Sequence, residues 1–442
     1  GKPRPRREAG RARMSFEPAL AFYRLATSAF APFAPVLLGW RRRRGKEDAR
    51  RMGERMGHAS LARPAGPLVW LHGASVGEGI ALLPVVEQLA ARGFHVLVTS
   101  GTVTSAAILA GRLPAGAMHQ YLPLDVPAFL ARFLDHWRPG LALIAESEIW
   151  PNMLRMIHAR GVPLALVNAR LSPRSFARWS KAPSIIGSLL RRIDLCLAQT
   201  RDDAFRLQQL GAPYVEVCGN LKYDVPAPPY AQAALAQMTA AVGARPVWFA
   251  ASTHPGEEEI ILGVHERLRA EFPDLLTIIA PRHATRGRQI AQIAERLGLP
   301  MALRSQNEAI GSGTQLYIAD TMGEMGLFYR LCSIVLMGKS IGQARGGQNP
   351  IEPAKLGAVV LHGPNVGNFA QVYDDLGGAH GALEVEDAAA LEAALRGYFS
   401  DPALLRRDGR ASKEAVERFG GATARIMQAL EPCLADLQAV RP

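Results

Sequence analysis

The sequence predicts an α/β protein of two doubly wound, Rossmann-like domains facing across a cleft, with an N-terminal membrane-anchoring segment ahead of them. Three observations lead there. From Pro67 onward, short aliphatic or β-branched runs alternate with amphipathic stretches at the spacing of βα units. That rhythm breaks at a proline-rich stretch beginning at Asp224 and then restarts. Upstream, Leu25 to Trp40 form a sixteen-residue run without a charge.

The N-terminal segment explains the charge. Residues 1–58 hold fifteen Lys/Arg against five Asp/Glu, so the remaining 384 residues carry only +2 of the formal +12. A nucleic-acid binder would spread its basic footprint over the folded surface, and no nucleic-acid partner is expected. The excess instead flanks the apolar run, with Arg24 before it and Arg41 to Arg44 after it. As a helix, sixteen residues reach about 24 Å against a hydrocarbon core of roughly 30 Å. Pro32 and Pro35 would kink that helix, so spanning the bilayer and lying in its interface both fit. A secretory signal fits less well, because the dense basic block follows the apolar run and no clean cleavage site does. The flank should attract an anionic phospholipid surface and keep the remaining chain on the cytoplasmic side. Residues 1–45 are thus expected to be a basic tail and anchor, and the chain to fold without residues 1–40.

Residues 46–225 should form the first domain, with strands in LVWLHG (68–73), HVLVTS (95–100), LALIAE (141–146), LALVNA (164–169), LCLAQT (195–200) and YVEVCG (214–219). Runs this apolar suit parallel strands covered on both faces. Residues 226–245 read as a connector. Residues 246–425 should form the second domain, with strands in 247–252, 275–283, 316–320, 334–338 and 359–363. Residues 426–442 read as a C-terminal helix or tail able to pack on either domain. Cys196, Cys218, Cys332 and Cys433 are widely spaced, which disfavours a zinc knuckle or a disulfide framework.

Polar residues gather where these strands should end. Ser75, Gly77 and Glu78 follow the first strand and lead into a helix whose N-terminus would hold a carboxylate ionised and ready to accept a proton. A tight strand-to-helix turn is the plainer account of that loop. Glu146 and Glu148 end another strand and, two apart, cannot both point one way if extended, so one is free to act while the other caps or pairs. Two glutamates near one cleft would also suit glycoside hydrolysis. Asn168 and Arg170 close the next strand and could hold a sugar or phosphate. In the second half, Ser252 and Thr253 open a helix as caps or ligands. Arg282 and His283 end a strand where a guanidinium could grip phosphate. Lys339 and Ser340 lack a Walker pattern. Gly347 and Asn349 lie in a turn that could face an anion, Glu352 could accept bonds from ribose hydroxyls, and Asn368 lies beyond another strand end. No Asp-x-Asp pair or Cys/His cluster marks a metal site, so no metal or other cofactor is expected, and leaving-group charge would fall to Arg, Lys and helix dipoles.

The ordered motifs WLHGASVGEG (70–79), TSGTVTSA (99–106), YLPLD (121–125), ESEIWPN (146–152), NARLS (168–172), GNLKYD (219–224), STHPGEE (252–258), PRH (281–283), GGQNPIEPA (346–354) and GPNVGNF (363–369) resemble those of the bacterial 3-deoxy-D-manno-octulosonic acid (Kdo) transferases, inverting enzymes of GT-B fold. The resemblance runs from Leu20 to about residue 420. It implies CMP-Kdo as donor and a tetra-acylated, bisphosphorylated lipid A precursor (lipid IVA) as acceptor, with one or more additions at the inner membrane. It implies Glu78 as general base, Glu146 as a second functional carboxylate, and Arg282, His283 and Glu352 at the donor. Lys339, Ser340, Asn349 and Asn368 lie in the same donor blocks. Gly73 and Gln348 depart from the residues commonest in the family, which bears on acceptor placement and not on reaction type. No specific protein partner is implied. A related transferase using another nucleotide sugar, and a binding protein without catalysis, are the alternatives.

Overall fold

The computed structural model describes residues 18–439, so most of the expected basic tail and the last three residues lie outside the described residues. The chain divides into two compact units, one running to Val225 and resuming at Gly420, the other from Pro226 to Phe419.

The apolar N-terminal run forms α1 (Pro18–Phe30) and α2 (Ala34–Arg43), joined by a 3-10 turn at Ala31–Phe33 where Pro32 and Pro35 interrupt the α-helical bonding. It is long and apolar enough to cross a membrane. It is not free-standing, however. Leu20, Ala34 and Leu38 are buried, with Tyr23, Thr27, Ala31 and Arg41 partly covered, an i+3/i+4 stripe lying against the first unit. The opposite face is apolar and bare: Phe22 is 72% exposed, Phe33 64% and Val36 74%. Full burial of a leucine is worth about 1.5–3 kcal/mol, so losing Leu20 and Leu38 is costly. Removing residues 1–40 should therefore destabilise the first unit, against the simpler expectation from sequence.

The first unit has one parallel sheet in the order β3-β2-β1-β4-β5-β6-β7. Its strands are β1 (Leu68–His72), β2 (His95–Ser100), β3 (Ala117–Tyr121), β4 (Leu141–Ala145), β5 (Leu164–Ala169), β6 (Leu195–Ala198) and β7 (Val215–Val217). Successive strand residues serve two cores. Leu68, Trp70, Ala142 and Ile144 join one with Leu164 and Leu166. Val69, Leu71, Leu141 and Leu143 join the other with Ala165 and Val167. Both faces are covered, hence the unbroken apolar runs. Helices α3 (Val76–Ala91) and α4 (Val103–Ala110) lie over the second core, α5 (Pro127–Trp137) and α6 (Pro151–Ala159) over the first.

The helix Ala422–Ala439 also packs here, through Ala422, Ile426, Leu430 and Leu434 at four-residue spacing. Asp224 receives the Gly421 amide at 2.6 Å, and Arg425 donates to the Cys218 carbonyl at 2.7 Å. The chain thus returns to the first unit at 419/420, ahead of the division at 425/426 read from the sequence. The stretch read as a connector falls within the second unit.

The second unit repeats the scheme in the order β10-β11-β9-β8-β12-β13-β14. Its strands are β8 (Val247–Thr253), β9 (Leu276–Pro281), β10 (Met301–Leu303), β11 (Leu316–Ile318), β12 (Ile334–Met337), β13 (Val359–His362) and β14 (Ala382–Glu384). In each sheet the chain reverses direction beside its first strand, between β1 and β4 and between β8 and β12. Ligands of open parallel sheets bind outside the carboxyl ends of the strands at such switch points. Non-glycine residues held in the left-handed region gather there: Glu146 (φ 54°) after β4, Asn168 (φ 51°) on β5, Ser252 (φ 58°) on β8 and Lys339 (φ 60°) after β12. Each costs on the order of 1–3 kcal/mol and persists only where its surroundings fix it.

Candidate active site

At the β1/β4 switch point, Ser75 caps α3 and Glu78 sits in its first turn. The Ser75 hydroxyl donates to Glu78 Oε1 at 2.7 Å, the Ala74 amide donates to Oε2 at 2.8 Å, and the Glu78 amide returns to Ser75 Oγ at 3.3 Å. The arrangement is a variant of the capping box, with the amide before the N-cap bonded in place of the N-cap amide, and it fixes the carboxylate without a charged partner. Burial raises the Glu78 pKa, the Ser75 and Ala74 bonds oppose the rise, and the charges of Glu146 and Glu148 add to it. The result is a carboxylate more basic than an ordinary glutamate, with two others beside it. Gly77 is exposed in the same turn, and a Cβ there would meet nothing within 4 Å, so packing does not demand glycine.

The neighbouring carboxylates are held differently. Glu146 pairs with Lys222 Nζ at 3.0 Å, and Glu148 accepts the Trp150 indole N–H at 2.6 Å. Lys222 is a site residue that sequence reasoning missed. It reaches Glu146 because Asn168 Oδ1 accepts the Leu221 amide at 3.0 Å, pinning the GNLKYD loop to β5. Asn168 is therefore occupied as a clamp, although its buried Nδ2 has no partner among the described residues. Arg170 follows, half-buried, with no hydrogen bond or ion pair to its side chain among the described residues. His72, of the same motif as Glu78, is a core group: it is 1% exposed, burial pushes its pKa down to about 4, and Nδ1 lies 3.0 Å from Thr99 Oγ1.

In the second unit the switch-point carboxylates turn inward. Glu257, 1% exposed, receives the amides of His254 and Lys339 on Oε2 (both 2.8 Å) and those of Ser340 (2.9 Å) and Ile341 (3.1 Å) on Oε1. These backbone amides, of the kind that can cradle a phosphate, are thus filled by the protein's own carboxylate. Glu258 is buried against Arg286 at 2.6 Å and Thr253 Oγ1 at 2.7 Å, so the Thr253 hydroxyl faces the interior. The Ser340 hydroxyl is likewise a strut, bonded to the Met337 carbonyl and receiving the Gly363 amide at 2.9 Å.

Cationic side chains of this unit lie around Gly346 and beyond β9. Lys339 Cε and Asn368 Nδ2 flank Gly346, each within 3.3 Å of where a Cβ there would stand. Gly347 has φ 69°, donates its amide to the Lys339 carbonyl at 2.7 Å, and would place a Cβ 2.9 Å from Val366 Cα. Arg282 and His283 are exposed beyond β9, and Arg282 is tied to the neighbouring strand end through its amide on the Thr253 carbonyl at 3.0 Å. Burial lowers the His254 pKa, its bond to the Ser252 carbonyl and the Glu257 charge oppose the fall, and the charges of Lys339 and His283 add to it. Ser252 accepts His254 Nδ1 on its carbonyl at 3.1 Å. Asn349 is spent on the Ile351 amide at 3.2 Å, opening the helix that carries Glu352. Among the described residues, no group of three or more His, Cys, Asp or Glu side chains is placed to hold a metal ion.

Two Rossmann-like units, one with an elevated carboxylate at its switch point and one with a cationic loop set, define the architecture of a nucleotide-sugar enzyme of GT-B type. A solved UDP-GlcNAc 2-epimerase from Neisseria meningitidis shares the fold at TM-score 0.59 and 14% identity, over 83% of this chain and 99% of that one. Residues 50–225 match the family described as 3-Deoxy-D-manno-octulosonic-acid transferase (kdotransferase). A probable mitochondrial 3-deoxy-D-manno-octulosonic acid transferase of Arabidopsis thaliana is 36% identical over 89% of this chain and 91% of its own length. The Haemophilus influenzae 3-deoxy-D-manno-octulosonic acid transferase is 35% identical over 87% and 91%. The chain belongs to the Kdo transferase family.

Proposed function

We propose that the protein transfers Kdo from CMP-Kdo to the tetra-acylated, bisphosphorylated lipid A precursor by inverting displacement. The observation that carries this reading is the Glu78 carboxylate, held at the β1/β4 switch point and made more basic by burial and by its neighbours. As the acceptor hydroxyl oxygen bonds to the anomeric carbon of Kdo, its proton passes to Glu78. The bond from that carbon to the phosphate oxygen of CMP breaks, and CMP leaves with the electron pair. Arg282 and Lys339, exposed and half-buried respectively in the second unit, are the cations suited to the phosphate. Glu146 and Lys222 form a paired group that orders the crevice wall beside Glu78.

The same reading places the enzyme at the cytoplasmic face of a bacterial inner membrane. One face of α1 and α2 lies against the first unit from Leu20 to Arg41, so lipid can cover the other face, which favours insertion in the interface over spanning. Of the four arginines expected to hold anionic headgroups, Arg41 bonds Glu47 at 2.6 Å and Arg44 stacks over Trp40 at 3.9 Å. Arg42 and Arg43 are exposed, with no side-chain partner among the described residues. Mass spectrometry of CMP-Kdo and the tetra-acylated acceptor incubated with enzyme in chelator tests the reading. Lipid growing by one or more Kdo masses supports it and counts the transfers; unchanged lipid from folded, donor-binding protein refutes this acceptor or this chemistry.

A further inference from the structure

The motifs YLPLD and ESEIWPN contain Asp125 and Asn152, which the chemistry above does not use. The structure gives them other work. Asp125, in the loop after β3, accepts the Tyr23 hydroxyl at 3.0 Å and the Asn152 amide at 3.1 Å on Oδ2, and the Met153 amide at 2.8 Å on Oδ1. Asn152, 2% exposed, donates from Nδ2 to Thr27 Oγ1 at 2.9 Å and to the Asp125 carbonyl at 2.7 Å. Tyr23 and Thr27 are the polar members of the inner stripe of α1, one turn apart. Asn152 and Met153 open α6, immediately downstream of the Glu146–Glu148 loop. The apolar helix is therefore bonded to the same edge of the sheet that carries the carboxylates.

We propose that Tyr23, Thr27, Asp125 and Asn152 act together as a positioning device, fixing the rotation and register of α1 on the first unit and so holding the Glu78–Glu146 crevice at the depth of lipid headgroups. The proposal rests on the reading that the acceptor is a membrane lipid. Its physical basis is what lipid does to helix packing. Once the outer face of α1 and α2 is among acyl chains, Leu20 on α1 and Leu38 on α2 gain little by choosing protein over lipid, because the tails are equally apolar. Apolar contact then cannot specify one register. Directional hydrogen bonds can, and the inner stripe of α1 places two of its side chains within reach of Asp125 and Asn152. A bilayer-borne acceptor has its head at a set height, so a crevice that tilts or rises loses it. A detergent-dispersed acceptor comes from any direction and would not notice.

The test uses full-length protein with a fluorophore on Ser147→Cys, an exposed position in the carboxylate loop, bound to phosphatidylethanolamine/phosphatidylglycerol vesicles carrying a headgroup quencher. The parent should be strongly quenched. The near-isosteric pair Tyr23→Phe/Thr27→Val should lose at least half of that quenching. In unlabelled protein the same pair should lower the ratio of turnover on vesicle-embedded to detergent-dispersed acceptor about tenfold, leaving the detergent rate within about twofold, as expected for two lost hydrogen bonds. Asp125→Asn should act more strongly, and if it fails to fold the pair carries the test. An unquenched parent, a pair with unchanged quenching and ratio, or equal slowing on both acceptor forms would overturn the proposal, the last by leaving a purely structural role. Quenching that responds as expected while no variant or parent forms product would support the positioning device and place the failure in the reading of the reaction.

Discussion

Each unit sends its first strand into a loop and then a helix with a glutamate in its first turn, Glu78 after β1 and Glu257 after β8. Each side chain reaches back to a backbone amide of its own loop, Ala74 in one case and His254 in the other. The neighbouring loops make the difference. In the second unit, the loop after β12 turns the amides of Lys339, Ser340 and Ile341 onto Glu257 and consumes its oxygens. In the first, the loop after β4 bonds its amides elsewhere: Glu146 to the Val167 carbonyl and Glu148 to that of Ala145. Glu78 keeps two local donors and gains two negative neighbours. One topological position thus supplies a basic carboxylate in one unit and an internal brace in the other.

Substitutions should separate these roles. Glu78→Gln should reduce turnover by about 10²–10⁴, the usual worth of a general base, while unfolding stays near that of the parent, because glutamine keeps an acceptor for the Ala74 amide. Loss of stability in step with activity would erase the contrast. Glu257→Ala should strand four amides, two of them buried, and destabilise the second unit by about 3 kcal/mol, read as a lower denaturant midpoint. Cheap replacement would show that the brace is redundant. Gly347→Ala should cost about 1–2 kcal/mol for the left-handed backbone and, by pressing on Val366, raise KM for CMP-Kdo more than it lowers kcat. Glu148→Gln keeps an acceptor for the Trp150 indole and should change turnover only a few-fold; a loss as large as that of Glu78→Gln would reassign the base.

The sequence revealed the strands that are apolar throughout, because burial on both faces leaves no polar alternation to obscure them. It hid β3, whose His119 and Gln120 interrupt the pattern. Those side chains find partners inside, His119 at Ser100 (2.9 Å) and Gln120 Oε1 at the Trp137 indole (2.8 Å), while Gln120 Nε2 has none among the described residues. The strands β10 and β14 are three residues long and lie at the sheet edges, too short to show a period. Glu78 was legible as a carboxylate at a strand-to-helix turn. The inward use of Thr253 and Ser340 was not, since a hydroxyl at a strand end reads alike whether it faces ligand or core. Lys222 stood inside the GNLKYD motif, but nothing in that motif pointed to Glu146. Its place beside Glu146 depends on Asn168 holding a loop far along the chain, a relation that only the folded sheet creates.

The most direct test of the account is the acid limb of kcat/KM against pH, with acceptor in detergent. Glu78 must be deprotonated to take the hydroxyl proton, so the rate should fall as pH drops through its pKa, which burial and the Glu146 and Glu148 charges raise above the ordinary value of about 4.3. Lys222→Met should move the limb to higher pH, because Glu146 then loses its compensating cation and bears more strongly on Glu78. In the residual activity of Glu78→Gln the limb should vanish. A limb that persists at the same pH in Glu78→Gln would contradict the account and give the proton to another group.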